Sequence, residues 1–372
     1  MNTPPVLRQV GRVHVEIESR RLLYFGGCDY YRLARHPQVL AAACLALAAD
    51  GLNVAASRIT TGNHPLYPRL EAALAAWAGR TDAAVVPCGY AANAVALQAL
   101  ADRITHVFLD ERAHPSLGDA ACQIKAPLRT FRHRDPTHLA ALLRNLRPQA
   151  CPAVLTDGLC ARDGSLAPLA AYAKLLAQRG WLVVDDAHGL GLLGKHGRGT
   201  PEHCGLRFPR LVHVGTLSKA FGAYGGVIFA PPRILRRLRT ASRQYAGSTP
   251  CPLPLVAAAL AAIDLLRTDP GFRSRLETNT SHAKARLRSA GVALPDTPSP
   301  ILSVSVRNPS AVIRLRNRLI EQGIFPSLVR YPGGPQAGYF RFVLSSEHTR
   351  RQIDGLVDVL LQTDGLEPLS SL

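Results

Sequence analysis

The sequence predicts an α/β protein: a large domain built on a mostly parallel sheet of seven strands, followed by a small C-terminal α+β domain. Three observations carry this expectation. Between residues 83 and 266 short β-branched runs alternate with helical patterns, the order expected when helices carry the chain back between parallel strands. After about Pro295 that alternation stops, and strands and helices follow in a different order. The 372 residues are 47% hydrophobic and 19% charged, with 30 Gly and 28 Pro scattered along the chain, which supports a large core and excludes disorder as the main state.

The seven strands are expected at residues 83–87, 106–110, 128–133, 153–156, 182–185, 211–215 and 226–230. Helical patterns between them cover 89–101, 137–146 and 169–179, and a longer one covers 253–266 after a turn holding Pro250 and Pro252. Then come a strand at 301–306, a helix that Ser310 caps and Gly323 stops, a strand at 339–344 and a final helix at 349–361. The resulting division is an N-terminal segment 1–50 packing with the small domain, a large domain 51–270 and a small domain 271–372.

Composition excludes several classes. The longest apolar runs, 11 residues at 39–49 and 9 at 255–263, fall short of the roughly 20 that a spanning helix needs. Met1 to Val10 holds two prolines and no apolar h-region, so no signal peptide is expected. Eight cysteines (28, 44, 88, 122, 151, 160, 204 and 251) lie far apart, with no CxxC pair and no Cys/His ligand spacing. That argues against structural zinc or a disulfide framework and fits a reducing cytoplasm. Lys and Arg number 44 against 26 Asp and Glu, a net charge of +18. Such a field attracts nucleic acid, an acidic carrier protein or a nucleotide thioester. The densest basic group, Arg233, Arg236, Arg237, Arg239 and Arg243, lies on an expected helix. Without interleaved aromatics it reads as a solvated helix face rather than a nucleic-acid surface.

The chemistry concentrates in two segments. Residues 215–226, from Gly215-Thr216-Leu217-Ser218-Lys219 to Gly225-Gly226, follow an expected strand and hold one lysine among Gly, Ser and Thr. Small residues allow close approach of a bulky ligand, hydroxyls can donate to a phosphate, and a desolvated lysine suits Schiff-base formation with an aldehyde. On its own, Lys219 also reads as an exposed turn lysine. Residues 182–189 run a buried strand into Asp185-Asp186-Ala187-His188-Gly189. Ligands of open α/β sheets gather at the carboxyl ends of strands, and a carboxylate there can hold a pyridine nitrogen protonated. Metal ligation by Asp185, Asp186 and His188 is the competing reading, although no second ligand cluster accompanies them.

Together, Asp185-Asp186-Ala187-His188-Gly189 and the lysine of Thr216-Leu217-Ser218-Lys219, 34 residues after Asp185, make the chain resemble the α-oxoamine synthases. These are pyridoxal 5'-phosphate (PLP) enzymes of fold type I. The likeness runs from Tyr24-Phe25-Gly26-Gly27-Cys28-Asp29-Tyr30 to the C-terminal helix. It implies that Lys219 forms the Schiff base and moves protons at the substrate Cα, that Asp185 pairs with the pyridinium nitrogen, and that His188 bonds the phenolic oxygen. It further implies that His114 stacks on the ring and that Cys88, Gly89 and Tyr90 hold the phosphate at a helix N-terminus, with Thr216 adding its hydroxyl. Ser248 or Thr249 would reach the phosphate of a neighbouring subunit, implying a homodimer, and Arg341 would grip the amino-acid carboxylate with its planar fork. Three positions depart from the family pattern: Cys28 replaces an Asn, Tyr67 a His and Ala161 a Ser. Little of the family's N-terminal helical segment is present.

The implied activity is decarboxylating condensation of a small amino acid with an acyl thioester, carried by CoA or a carrier protein, to an α-amino ketone. No metal or membrane span is expected. A fold-type-I aminotransferase or aldolase-type lyase is the alternative, because Lys219 and Asp185 serve those reactions too. A catalytically silent binding homologue is the third reading.

Overall fold

The chain opens with an antiparallel meander, β1 (Arg8–Val10), β2 (His14–Ile17) and β3 (Arg20–Leu23), which no sequence pattern above foretold. A computed structural model describes residues 5–177, 179–306, 308–330, 335, 337–363 and 365–369. It divides into two compact units: His36–Cys160 with Leu166–Arg267, and Met1–Arg35 with Ala161–Ser165 and Thr268–Leu372.

The first unit contains α1 (Pro37–Asp50), α2 (Leu66–Ala78), β4 (Ala84–Val86), α3 (Gly89–Gln98), β5 (His106–Asp110), α4 (Pro115–Cys122), β6 (Leu128–Phe131), α5 (Pro136–Arg144) and β7 (Pro152–Asp157). It continues through α6 (Leu169–Leu176), β8 (Trp181–Asp185), α7 (Thr200–His203), β9 (Leu211–Thr216), β10 (Gly226–Phe229), α8 (Pro232–Ala241), α9 (Arg243–Gly247) and α10 (Leu253–Thr268). All seven expected strands form one sheet in the order β4-β10-β9-β8-β7-β5-β6. Only β10 runs against its neighbours. The central strands read as largely apolar runs because both faces are covered, whereas the edge strand β6 is mostly exposed. Val183, Val212 and Val214 pack on one face with residues of α3, α4 and α8, while Leu182, Val184 and Leu211 pack on the other with residues of α5 and α6.

The basic group on α8 is not simply a solvated face. Arg237 donates to Ala99 O (3.0 Å) and pairs with Asp102, and Arg239 holds Asp82 through two bonds (2.7 and 2.8 Å). Arg233 lies over the Trp181 ring at 5.7 Å. A buried pair anchors α2 to the sheet. Arg58 binds both oxygens of Glu71 (2.6 and 3.0 Å), and Glu71 Oε1 also accepts from Val85 N–H (2.9 Å).

The second unit adds α11 (Gly271–Ser289), β11 (Ile301–Val306), α12 (Pro309–Glu321), β12 (Leu328–Val329), β13 (Tyr339–Val343), α13 (Arg350–Leu361) and β14 (Leu366–Pro368) to the opening meander. Its sheet has the order β12-β13-β11-β14. The cap of α12 is Asn308, not Ser310. Asn308 Oδ1 accepts from Ala311 N–H at 2.8 Å, and Pro309 fits the first helical position, where its missing N–H costs nothing. The Ser310 hydroxyl donates to that same Asn308 oxygen (2.7 Å).

In this unit His348 is buried, stacked on Phe25 at 4.2 Å, with Nδ1 3.0 Å from Ser345 N–H and Nε2 3.2 Å from Tyr24 O. Burial first, and the Arg32 guanidinium second, push its pKa down to about 3 from 6.5. The neutral ring therefore contributes stability that is fully present above pH 6.5 and is lost as pH falls towards 3. Urea midpoints measured across this window should fall with acidification in the wild type. The His348→Gln protein should lack that component, and the two curves should converge at acid pH.

Candidate active site

Alternation along β8 separates two adjacent carboxylates. Trp181 and Val183 face the cluster beneath α3, Leu182 and Val184 face away, and Asp185 therefore points toward α3. Asn93 of α3 donates from Nδ2 to Asp185 Oδ2 at 2.6 Å, and Ala187 N–H donates to Oδ1 at 3.0 Å. The same Asn93 amide donates to Ser116 Oγ (2.9 Å), which lies 2.7 Å from His114 Nδ1. One hydrogen-bonded chain thus joins His114, Ser116, Asn93 and Asp185.

His114 caps α4, and its backbone N–H reaches both oxygens of Asp157 at 3.2 Å. Burial lowers the pKa of this imidazole; Asp185 opposes that shift and Lys219 adds to it. Asp157 ends β7 and pairs with Asp185 across the parallel ladder. Burial, and then the neighbouring Asp185, push the Asp157 carboxyl well above the usual carboxylate range.

Lys219 sits half-buried in the loop joining β9 to β10. Leu217 N–H to Gly225 O and Ala223 N–H to Leu217 O, each 2.9 Å, close that loop. Thr216 ends β9, donates to Gly225 O (3.0 Å) and accepts from Ser218 N–H (3.2 Å). It also presses on the first turn of α3: a Cβ at Gly89 would stand 2.8 Å from Thr216 Cβ and Oγ1, so only glycine fits. Cys88 is the N-cap, with Sγ accepting from Ala91 N–H at 3.4 Å. The first N–H groups of α3 have no acceptor within the helix, which makes the turn a site for an anion. Tyr90 is exposed, its hydroxyl bonded to Asp119 and its ring edge-on to His114 with centroids 6.0 Å apart.

The other expected residues have the following surroundings. Asp186 is fully buried and structural: Oδ2 accepts from Thr200 N–H (2.7 Å) and lies 2.9 Å from His213 Nε2, and Oδ1 accepts from Thr200 Oγ1 (2.5 Å). His188 is buried in the turn after β8. Among the described residues no group of three His, Cys, Asp or Glu is arranged to hold a metal ion. Ser248 spends its hydroxyl on Gln244 O (2.6 Å), and Thr249 is exposed. Arg341 belongs to the second unit. It lies on β13 opposite the stacked Phe340 and Phe342, with Nη1 donating to Ala161 O at 3.3 Å. Of the departures, Tyr67 is buried and donates to Cys251 O (2.7 Å), and Cys28 helps raise the pKa of buried Tyr30 after burial itself.

Sequence reasoning missed Asn93, Ser116 and Asp157 as site residues. Asn93 and Ser116 lie within segments already singled out, four residues after Gly89 and two after His114. The i, i+4 spacing from Gly89 was the available signal for Asn93, and adjacency to His114 was that for Ser116.

The profile of the family "Aminotransferase class I and II" matches residues 23–360. The chain belongs to this family. Within it, the chain lies among the α-oxoamine synthases. An 8-amino-7-oxononanoate synthase from Trichlorobacter lovleyi is 36% identical over 357 residues, covering 94% of this chain and 91% of that relative. A serine palmitoyltransferase variant from S. paucimobilis with bound PLP superposes with a TM-score of 0.89 at 28% identity, over 97% of this chain and 92% of that one. The 8-amino-7-oxononanoate synthase of Francisella tularensis gives a TM-score of 0.78 at 26% identity, over 92% and 97% of the two chains. The family cofactor is PLP, and the residues fit it. The open first turn of α3 beside the Thr216 hydroxyl suits a phosphate, the anchored Asp185 carboxylate suits a ring nitrogen, and Lys219 lies within the same electrostatic neighbourhood as His114 and Asp157.

The raised pKa of Asp157 has a testable sign. Its neutral form is favoured in the fold, so stability is fully present below pH 3.8 and is lost as pH rises through the raised value. Asp157→Asn removes that cost. Urea unfolding from pH 4 to pH 8 should show the variant gaining on the wild type as pH rises. A constant difference would mean that Asp157 carries its charge in the fold.

Proposed function

We propose that this protein condenses a small amino acid with an acyl thioester, with loss of CO2, to give an α-amino ketone. The observation that carries the reading is the set Lys219, Asp185 and His114 at the end of one sheet, Asp185 held by Asn93, in a chain so similar to 8-amino-7-oxononanoate synthases. When bound, PLP supplies an electron sink conjugated to the Cα of the amino acid. Lys219 would hold the cofactor covalently through Nζ and, once displaced by substrate, take the proton from Cα and return it. Asp185 would keep a proton on the pyridine nitrogen, with Asn93 and Ala187 N–H fixing its two oxygens. His114 would lie against the ring face and His188 would bond its phenolic oxygen. Cys88, Gly89 and Tyr90, at the start of α3, would hold the phosphate together with Thr216.

Ser248 or Thr249 would complete the phosphate site of a second copy in a homodimer. The surface of the isolated chain supports such an assembly. On α1 only Val39 and Ala46 are buried, while Leu40, Leu45 and Leu47 are exposed, as are Leu52 and Ile59 further on. Large apolar side chains grouped in this way suit a subunit interface. None of the eight cysteines forms a disulfide, in keeping with a cytoplasmic location. No helix among the described residues is long and apolar enough to cross a membrane.

The test is product stoichiometry. With glycine, alanine and serine offered against acyl-CoA and acyl-carrier donors, the holoenzyme should release free thiol and CO2 in equal amounts, and Lys219→Ala should release neither. Formation of a keto acid without thiol would favour the aminotransferase reading.

Arg341 would grip the amino-acid carboxylate. Charge-assisted hydrogen bonds of this kind are worth about 1.5–3 kcal/mol, so Arg341→Ala should raise the amino-acid KM roughly tenfold to a hundredfold. Arg341→Lys should recover part of the loss, because an ammonium cannot form the bidentate fork. PLP content should remain normal in both. An unchanged KM would assign the carboxylate to another residue.

A further inference from the structure

A pocket of about 400 Å³ opens beside α7 in the first unit and has no part in the chemistry above. One of its lining side chains, His213, is buried and alternates along β9 with Val212 and Val214, so it points to the sheet face opposite α3. Arg80, Arg198 and Arg207 line the cavity together with a single carboxylate, Glu202. Three positive charges against one negative leave an excess of two.

The arginines are available. None of the three forms an ion pair with a carboxylate among the described residues, whereas Arg58, Arg237 and Arg239 of the same unit all do. Glu202 is committed to the backbone of its own loop, its Oε2 accepting from His196 N–H (3.1 Å) and Arg198 N–H (3.0 Å). Arg198 is preorganised. Its Nε donates to Trp77 O at 3.1 Å, and its guanidinium lies over Gly79, where a Cβ would meet Cζ and Nη1 at 2.8 Å. Gly79 also has φ +62°, so the close approach and the backbone both require glycine. A fixed guanidinium spends less of its binding on ordering, and planar forks match phosphate oxygens. Pro201 and Leu206 give the cavity apolar wall against which an organic body can pack. The volume falls within the usual range of small-molecule sites.

We propose that this pocket binds a small phosphorylated organic molecule, a phosphate monoester or diphosphate, at a site separate from that of PLP. The excess of two charges matches a phosphate dianion. Recognition rests on Arg80 and Arg207, both exposed, converging with the anchored Arg198.

Calorimetry on the PLP-loaded enzyme tests this, because PLP fills the α3 phosphate site and removes it from competition. AMP, adenosine 3',5'-bisphosphate, inorganic pyrophosphate and adenosine are titrated in turn at low salt. The expected result is saturable binding of one AMP or bisphosphate per chain, with none for adenosine. Arg80→Ala/Arg207→Ala should weaken that binding tenfold or more while PLP content and thermal unfolding stay unchanged. Arg198→Gln should weaken it as well. Absence of saturable binding by either nucleotide at millimolar concentration would overturn the proposal, as would equal binding by the double variant. Binding of pyrophosphate without either nucleotide would overturn the assignment of an organic ligand. None of these readouts depends on turnover, so a failed condensation assay would leave the result intact.

Discussion

The hydrogen bond from Asn93 to Asp185 is the constraint on which the site depends. It ties the carboxyl end of a central strand to the helix whose first turn carries Gly89, and through Ser116 it extends to His114. The distance between the first turn of α3, proposed to take a phosphate, and the carboxylate proposed to take the ring nitrogen is thereby fixed by one helix and one strand. Both elements are buried and neither end is free to move alone. A carboxylate held by two donors pays its ordering cost on folding rather than on binding, which is the physical content of preorganisation.

That constraint would mean little without the two-residue period of the strand. Asp185 and Asp186 are identical in chemistry and adjacent in sequence, yet they belong to different structures. Asp185 looks toward α3. Asp186 closes the loop at Thr200 and holds His213, and both of its oxygens are used. Glycine at 158, 189 and 199 lets the chain close around that second carboxylate, since a Cβ at any of them would meet an Asp186 oxygen within 2.5 Å. Replacing Asp186 would leave buried donors unsatisfied, a defect of folding rather than of chemistry. Of two neighbouring carboxylates, one holds the frame and the other is the one proposed for binding.

Much of this was legible beforehand, for a reason that also explains the omissions. Apart from the edge strand β6, strands β4 to β10 are largely apolar runs bounded by Gly, Pro or charge, legible without tertiary information. Lys219, Asp185 and His188 stood out as candidates because their residue types are improbable in those surroundings. Asn93 and Ser116 did not, because a small polar residue on a helix is ordinary until its partner is known. α11 escaped for a related reason. Its buried stripe runs Phe272, Leu276, Thr280, Ala283, Lys284 and Leu287, so two of the six core positions are polar. Lys284 belongs there because Thr297 O accepts its ammonium at 2.6 Å. The β1–β3 meander is only three or four residues per strand and mostly half-exposed, which leaves little hydrophobic pattern to read. The Ser310 cap failed by two residues, since Asn308 followed by proline is the stronger start.

The charge of +18 calls for a different kind of argument, because it cannot be assigned to one surface. Part of it is structural. Arg58, Arg237 and Arg239 bind carboxylates within the first unit, and Arg12 and Arg286 do so in the second. Ion pairs consume as many negative charges as positive ones, however, so pairing leaves the excess undiminished. The acidic residues are simply too few, and unpaired arginines such as those at 80, 198 and 207 must follow. A net positive field raises the local concentration of any anionic substrate before contact is made, and it does so over a range set by the Debye length, about 8 Å at physiological ionic strength. Beyond that range charge has no aim. Affinity must come from groups held in place, and in the proposed phosphate site Arg198, anchored on Trp77 O, is the fixed group with which Arg80 and Arg207 would act.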